Sequence, residues 1–211
     1  LNPLFWSGKI ALDNTREGGE MPFYAMEERV PRVHPEAYVH PLAVVLGDVI
    51  ILEGCYIGPG AVLRGDWGRI RIGPGSNVQE NCVFHARPGE EVRLERDAHV
   101  GHGAILHGAE VGENALIGMG AILFDGVKVG AGAIVGAGSL LPEGFVVPPR
   151  TVVAGVPARI VGEASQDLLG KKRRGTALYQ TLPPRYRNEL RELSLEEVLI
   201  RGKDPLPLGK A

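Results

Sequence analysis

The sequence predicts an all-β fold built as a parallel coil, and three observations carry that reading. Aliphatic side chains recur every six residues over most of the 211-residue chain. Small residues recur in phase with them: Gly often follows the aliphatic, and Ala, Ser or Cys often sits four positions after it, as in "IGPGAV" (57–62), "VGAGAI" (129–134) and "VGAGSL" (135–140). Thirty glycines without a collagen period imply many turns with positive φ or close backbone packing. A period of six suits neither a lone helix nor simple strand alternation. It suits short parallel strands joined by tight turns, three hexapeptides making one turn of about 18 residues.

The inward series runs Val39, Val45, Ile51, Ile57, Leu63, then Ile72, Val78, Phe84, then Leu94, Val100, Leu106. After one five-residue step it continues as Val111, Ile117, Leu123, Val129, Val135, Leu141, Val147 and Val153. Copies one coil apart stack inside, each burial worth roughly 1.5–3 kcal/mol. Cys55 and Cys82 fall at the small position and read as reduced core filler. The pattern resembles the hexapeptide-repeat left-handed parallel β-helix, and the left hand is implied by that resemblance.

The chain divides into residues 1–20, expected to be non-native or disordered translated upstream sequence before a start at Met21, the β-helix at 21–160 and a helical segment with tail at 161–211. "GEASQDLLGKKRRGTALYQTL" (162–182) reads as a C-terminal α-helix weakened by Gly170 and Gly175. "SLEEVL" (194–199) carries a Ser-x-x-Glu capping box and reads as a short second helix. The net charge of −2 and the single basic run "KKRR" (171–174), read as a solvated helix face, give no nucleic-acid surface. No apolar run approaches about 18 residues and no signal peptide is evident, so a cytoplasmic protein without a membrane partner is expected.

Two interruptions break the rhythm, at "RGDWGR" (64–69) and between Phe84 and Leu94, and solenoid insertions become loops on one face. If the second is one hexapeptide plus four residues, Phe84 and Leu106 lie one coil apart. His85 and His107, each just after them, then stack about 4.8 Å apart in backbone terms. Two such imidazoles can share one metal. His102, two after Val100, lies on another face and joins only if a second copy presents it, which suits a cyclic trimer. Three histidines in a repeat protein equally fit interface hydrogen bonding. His99 reads as a surface or interface residue, and His34 and His40 as structural.

"RGDWGRIRIG", "NVQENCVFH", "HVGHGAILHG" and "ALIGMGAILFDG" resemble the γ-class carbonic anhydrase family of trimeric metalloproteins, over about residues 22–182. The branch most similar contains the phenylacetate-degradation protein PaaY and the carnitine-pathway protein CaiE. The resemblance implies a homotrimer with His85, His102 and His107 as ligands of a divalent metal, Zn2+ first, with Co2+ or Fe2+ as alternatives, at subunit interfaces. It implies that Arg64 and Asp66 pair across the interface, as a structural salt bridge or to orient an anion. Asn77 and Gln79 would line the site, Gln79 toward metal-bound water, with Glu80 behind them and Tyr179 reaching toward the pocket. The implied chemistry is metal-hydroxide attack on CO2. Alternatives are a PaaY-type acyl-CoA thioesterase and a non-catalytic, metal-stabilised trimeric scaffold. Trp67 and "ARPGEE" (86–91) depart from the acidic proton-shuttle positions of the family's most active prototype; Glu90 or Glu91 are the nearest substitutes.

Overall fold

The computed structural model describes residues 23–199; the expectations for residues 1–20, for the Met21 start and for the final tail lie outside them. Within the described residues the hexapeptide series folds into a left-handed parallel β-helix. Most strands are two or three residues long. None is stable alone, so register from coil to coil holds the structure.

The inward residues stack in three columns. Val45, Leu63, Phe84, Leu106, Leu123 and Leu141 form the first. Ile51, Ile72, Leu94, Val111, Val129 and Val147 form the second. Val39, Ile57, Val78, Val100, Ile117, Val135 and Val153 form the third. All but Val39 are buried, and Cys55 and Cys82 are buried free thiols among them.

The outward columns differ in chemistry. On the first face Val44, Val62, Val83, Ile105, Ile122 and Leu140 form an apolar ladder that no described element covers. On the second, Arg71, Arg93, Glu110 and Lys128 form a charged ladder. On the third, Tyr38, Tyr56, Asn77, His99, Leu116, Ile134 and Val152 run beneath the C-terminal helices.

The segment 64–69 departs from the expected surface loop. It is built into the continuous strand Val62–Ile72, which pairs through its first half with Val83–His85 and through its second with Glu91–Leu94. Val44–Ile51 follows it around the corner, with a register shift between Gly47 and Val49. The strands approach so closely there that a Cβ on Gly47, at φ +79°, would lie 2.3 Å from the Gly65 carbonyl oxygen. The second interruption is a turn, residues 86–90, between His85 and Glu91.

The chain leaves the parallel coil through a hairpin. Thr151–Gly155 and Ala158–Glu163 form an antiparallel hairpin that closes the last coil. Helix α1 (Gln166–Gln180) then lies on the third face, capped by Ser165 and packed through Leu169 against Ile134. The "KKRR" run is only partly a solvated face: Lys171, Arg173 and Arg174 are exposed, but Lys172 is buried. Its Nζ donates to the Asp97 carbonyl and to Asn114 Oδ1, both at 2.6 Å, and burial pulls its pKa down to about 8. Helix α2 (Leu182–Glu189) was not anticipated; Pro183 and Pro184 sit in its first turn, where a missing N–H costs no helical bond. Helix α3 (Leu195–Val198) has the expected capping box between Ser194 and Glu197.

The Gly47 crossing yields a stability test. Gly47→Ala is expected to destabilise by more than about 3 kcal/mol, because strain at positive φ adds to a backbone clash. Gly138→Ala, at φ +65° with nothing within 4 Å of the added Cβ, should cost only about 1–2 kcal/mol. Denaturant unfolding of both variants checks the contrast; equal losses would remove close approach as the reason for Gly47.

Candidate metal centre

His85 and His107 are register partners on adjacent strands, as the six-residue count required. Their rings lie 5.1 Å apart between centroids, and His85 Nδ1 faces His107 Nε2 at 3.1 Å. Each outer nitrogen meets a carboxylate. His85 Nε2 lies 3.1 Å from Asp66 Oδ1, and His107 Nδ1 lies 2.5 Å from Asp125 Oδ1. The carboxylates are themselves held: Arg64 donates to Asp66 Oδ2 at 2.7 Å, and Arg87 reaches Asp125 Oδ2 at 2.8 Å. A carboxylate on the outer nitrogen holds the proton there and leaves the inner nitrogen a lone pair.

Electrostatics agree with neutral imidazole at His85. Burial lowers its pKa and the Arg64 charge lowers it further, while Asp66 works in the opposite direction. For Asp66, partial burial opposes ionisation, but the Arg64 hydrogen bond and charge, with His85 adding, hold the carboxyl below the usual range. Two exposed aromatics flank the pair. The Trp67 ring lies 5.4 Å from His85, and Phe124 directly follows the register partner of Leu106.

His102 lies elsewhere on the coil, half-exposed, with Nδ1 hydrogen-bonded to Glu80 Oε2. Among the described residues no cluster of three His, Cys, Asp or Glu side chains within one chain could hold a metal.

Asn77 and Gln79 are buried beside His99. Gln79 Nε2 donates to Asn77 Oδ1 at 3.0 Å and lies 2.7 Å from His99 Nε2, and Asn77 Nδ2 lies 3.2 Å from His99 Nδ1. His99 is therefore partly buried within the chain, held by the side chains of Asn77 and Gln79. Helix α1 covers it, bringing Thr176 Oγ1 to 3.3 Å of its Nδ1 and the Tyr179 ring edge-on at 5.2 Å. Its burial, with the Lys172 charge adding, lowers its pKa to about 4. The proposed site residues thus fall into three groups: Arg64, Asp66, His85 and His107; Glu80 and His102; Asn77, Gln79 and Tyr179. His34 and His40 each accept a backbone N–H through Nδ1, from Glu36 and Leu42.

Sequence comparison now adds to this geometry. Residues 31–65 match the family described as bacterial transferase hexapeptide (six repeats). The carnitine operon protein CaiE of Citrobacter koseri is 47% identical over 172 residues, covering 82% of this chain and 87% of the relative. The chain belongs to the CaiE family of hexapeptide-repeat proteins. A hexapeptide transferase family protein from Anaplasma phagocytophilum has a crystal structure that superposes with a TM-score of 0.75 at 31% identity, over 80% of this chain and 98% of that one. A Bacillus cereus crystal structure gives 0.77 at 35% identity, over 79% and 96%. The match to these structures places the left-handed coil of this CaiE-family chain beyond its own periodicity.

Asp125 was missed from the sequence, although the signal was present. Leu123 is the register partner of Leu106, so extending the stacking count by one more coil puts Asp125 above the His107 corner. Tyr56 was also missed, because its partner Glu80 is 24 residues away and neither stands next to a histidine in sequence.

His99 generates a pH prediction. Its folded pKa is depressed, so the unfolded state binds more protons between about pH 6.5 and 4, and stability falls as pH drops through that window. The expected loss is on the order of 2–3 kcal/mol. Denaturant midpoints at pH 7 and 4.5 measure it; a slope in His99→Leu equal to that of wild type would assign the acid sensitivity to other groups.

Proposed function

We propose that this chain is a metal-dependent enzyme of γ-class carbonic anhydrase type, acting on carbon dioxide or an acyl thioester at a site shared between subunits of a homotrimer. The observation that carries the reading is the facing nitrogen pair of His85 and His107, 3.1 Å apart with both outer nitrogens committed to carboxylates. With one inner nitrogen protonated the two share a hydrogen bond; with both protons on the outer nitrogens, two lone pairs face one another and can bind one cation. Zn–N bonds of about 2.0–2.1 Å at a tetrahedral angle set donor nitrogens roughly 3.3–3.4 Å apart, so the pair fits with small adjustment.

His102 of a second copy would complete the ligand set. The uncovered apolar ladder beginning at Val44 borders the His85/His107 corner and supports packing of copies there. When bound, Zn2+, Co2+ or Fe2+ supplies Lewis-acid polarisation and an acidified water. The chain's own residues hold the geometry. Asp66 and Asp125 keep the imidazole protons on the outer nitrogens, and Arg64 places positive charge beside Asp66 to attract an anion. Glu80 holds His102, while Asn77, Gln79 and Tyr179 gather on His99, three residues before it.

Acyl transfer is the second reading. It is favoured by the half-exposed His102–Glu80 pair, an imidazole oriented by a carboxylate as a general base requires. The Anaplasma phagocytophilum neighbour is named as a transferase family protein. Among the described residues no helix is long and apolar enough to cross a membrane.

Metal analysis of purified variants decides between these readings. His85→Ala, His102→Ala and His107→Ala are each expected to lose bound zinc, and His99→Ala to keep it. Chelation should abolish CO2 hydration or thioester hydrolysis. Full metal content in His107→Ala overturns the site, and chelator-resistant acyl transfer that depends on His102 favours the second reading.

Subunit sharing has its own test. His85→Ala and His102→Ala are each expected to be inactive, yet co-refolded in equal amounts they should regain about a quarter of wild-type activity, since about three-quarters of random trimers are mixed and one junction in each is intact. Normal mixed trimers without activity would overturn the inter-subunit site.

A further inference from the structure

We infer that Tyr56 is a positioning residue for His102: its buried hydroxyl anchors the Glu80 carboxylate, and the anchored carboxylate orients the imidazole. This rests on reading His102 as the ligand offered to a second copy. Tyr56 is 1% exposed, although it stands in the outward column of the third face. Tyrosine rings surround it. Tyr38 stacks on it at 6.0 Å, Tyr186 of α2 meets it edge-on at 5.6 Å, and Tyr179 of α1 lies at 5.8 Å.

A phenol enclosed this way needs a hydrogen-bond partner. It donates to Glu80 Oε1 at 3.1 Å. The other carboxylate oxygen, Oε2, accepts a hydrogen bond from His102 Nδ1–H. The last torsion of a glutamate is broad and nearly free, so a carboxylate beside an exposed imidazole would ordinarily rotate. Here one oxygen is tied to a buried group and the other is left in a fixed place. His102 thereby keeps Nδ1 protonated and Nε2 as a lone pair, although the ring is nearly half exposed.

The relay also gives the C-terminal helices a part in the site. Tyr179 and Tyr186 come from two different helices, and both press on Tyr56. Helix docking therefore reaches the exposed histidine through two hydrogen bonds. A purely structural role would need only the ring of Tyr56; the inference needs its oxygen.

Tyr56→Phe removes that oxygen and keeps the packing of four rings. The full-length protein, labelled with 15N-histidine and free of metal, is read by NMR. Wild type is expected to show His102 as a single tautomer protonated at Nδ1, and Tyr56→Phe to show averaged tautomers with the His85 and His107 signals unmoved. Zinc affinity, measured by competition with a chromophoric chelator, should weaken about tenfold. Glu80→Gln provides the second variant and should disturb the His102 signals as well. Unchanged His102 signals and zinc affinity in Tyr56→Phe overturn the inference. Disturbance in Glu80→Gln alone assigns the orientation to Glu80 without Tyr56 and overturns it too. If wild type binds no zinc, the functional reading fails, while the tautomer contrast still decides the role of Tyr56.

Discussion

Coil-to-coil backbone pairing in strict register is the constraint on which everything else in this protein depends. The strands are too short to choose a partner by themselves. What chooses is the inside of the coil, where one aliphatic and one small residue per hexapeptide fit a narrow triangular core. A slip of one residue would turn Leu106 outward and His107 inward, exposing an aliphatic and burying an unpaired imidazole. The penalty for that slip holds His85 over His107, and the same penalty holds Asp125 one coil above them.

Register also separates the three outward columns, and each column has a different fate. The charged ladder of Arg71, Arg93, Glu110 and Lys128 meets water, with Arg93 and Lys128 both paired to Glu110. The column from Tyr38 to Val152 is closed by α1 and α2. Lys172 and Gln180 bind the carbonyls and side chains of the turns at residues 75, 97 and 114, fastening α1 to the coil edges. The apolar ladder from Val44 to Leu140 has no cover among the described residues, and it is the face from which the strands run into His85 and His107. The solenoid thus keeps the stacked His85/His107 pair, an apolar edge and a helix-covered polar cluster apart without mixing them.

Some of the candidate site was legible and some was not, for identifiable reasons. His85 and His107 were legible because stacking in a coil converts a count along the chain into a distance. Asp66 and Arg64 were singled out through the resemblance, while their contact with each other and with His85 required the bend of the strand Val62–Ile72. The expectation of a loop there failed because the glycines at 47 and 65 let two strands cross at close range and remain paired. His99 was misplaced because a histidine on an outward column is exposed only if nothing lies above it, and a helix some 70 residues later does. Lys172 was misplaced for the same reason, seen from the helix side.

The sequence by itself determined the coil, its inward residues, the two capped helices and the vertical pairing of His85 with His107. These are local or periodic properties, and spacing encodes them directly. Tertiary structure alone decided which outward column the helices cover, where α2 begins and how Tyr56 comes to hold Glu80. Those outcomes depend on contacts between residues distant in sequence. They are selected by the burial of tyrosine rings and the satisfaction of polar groups under α1 and α2, and no period along the chain records them.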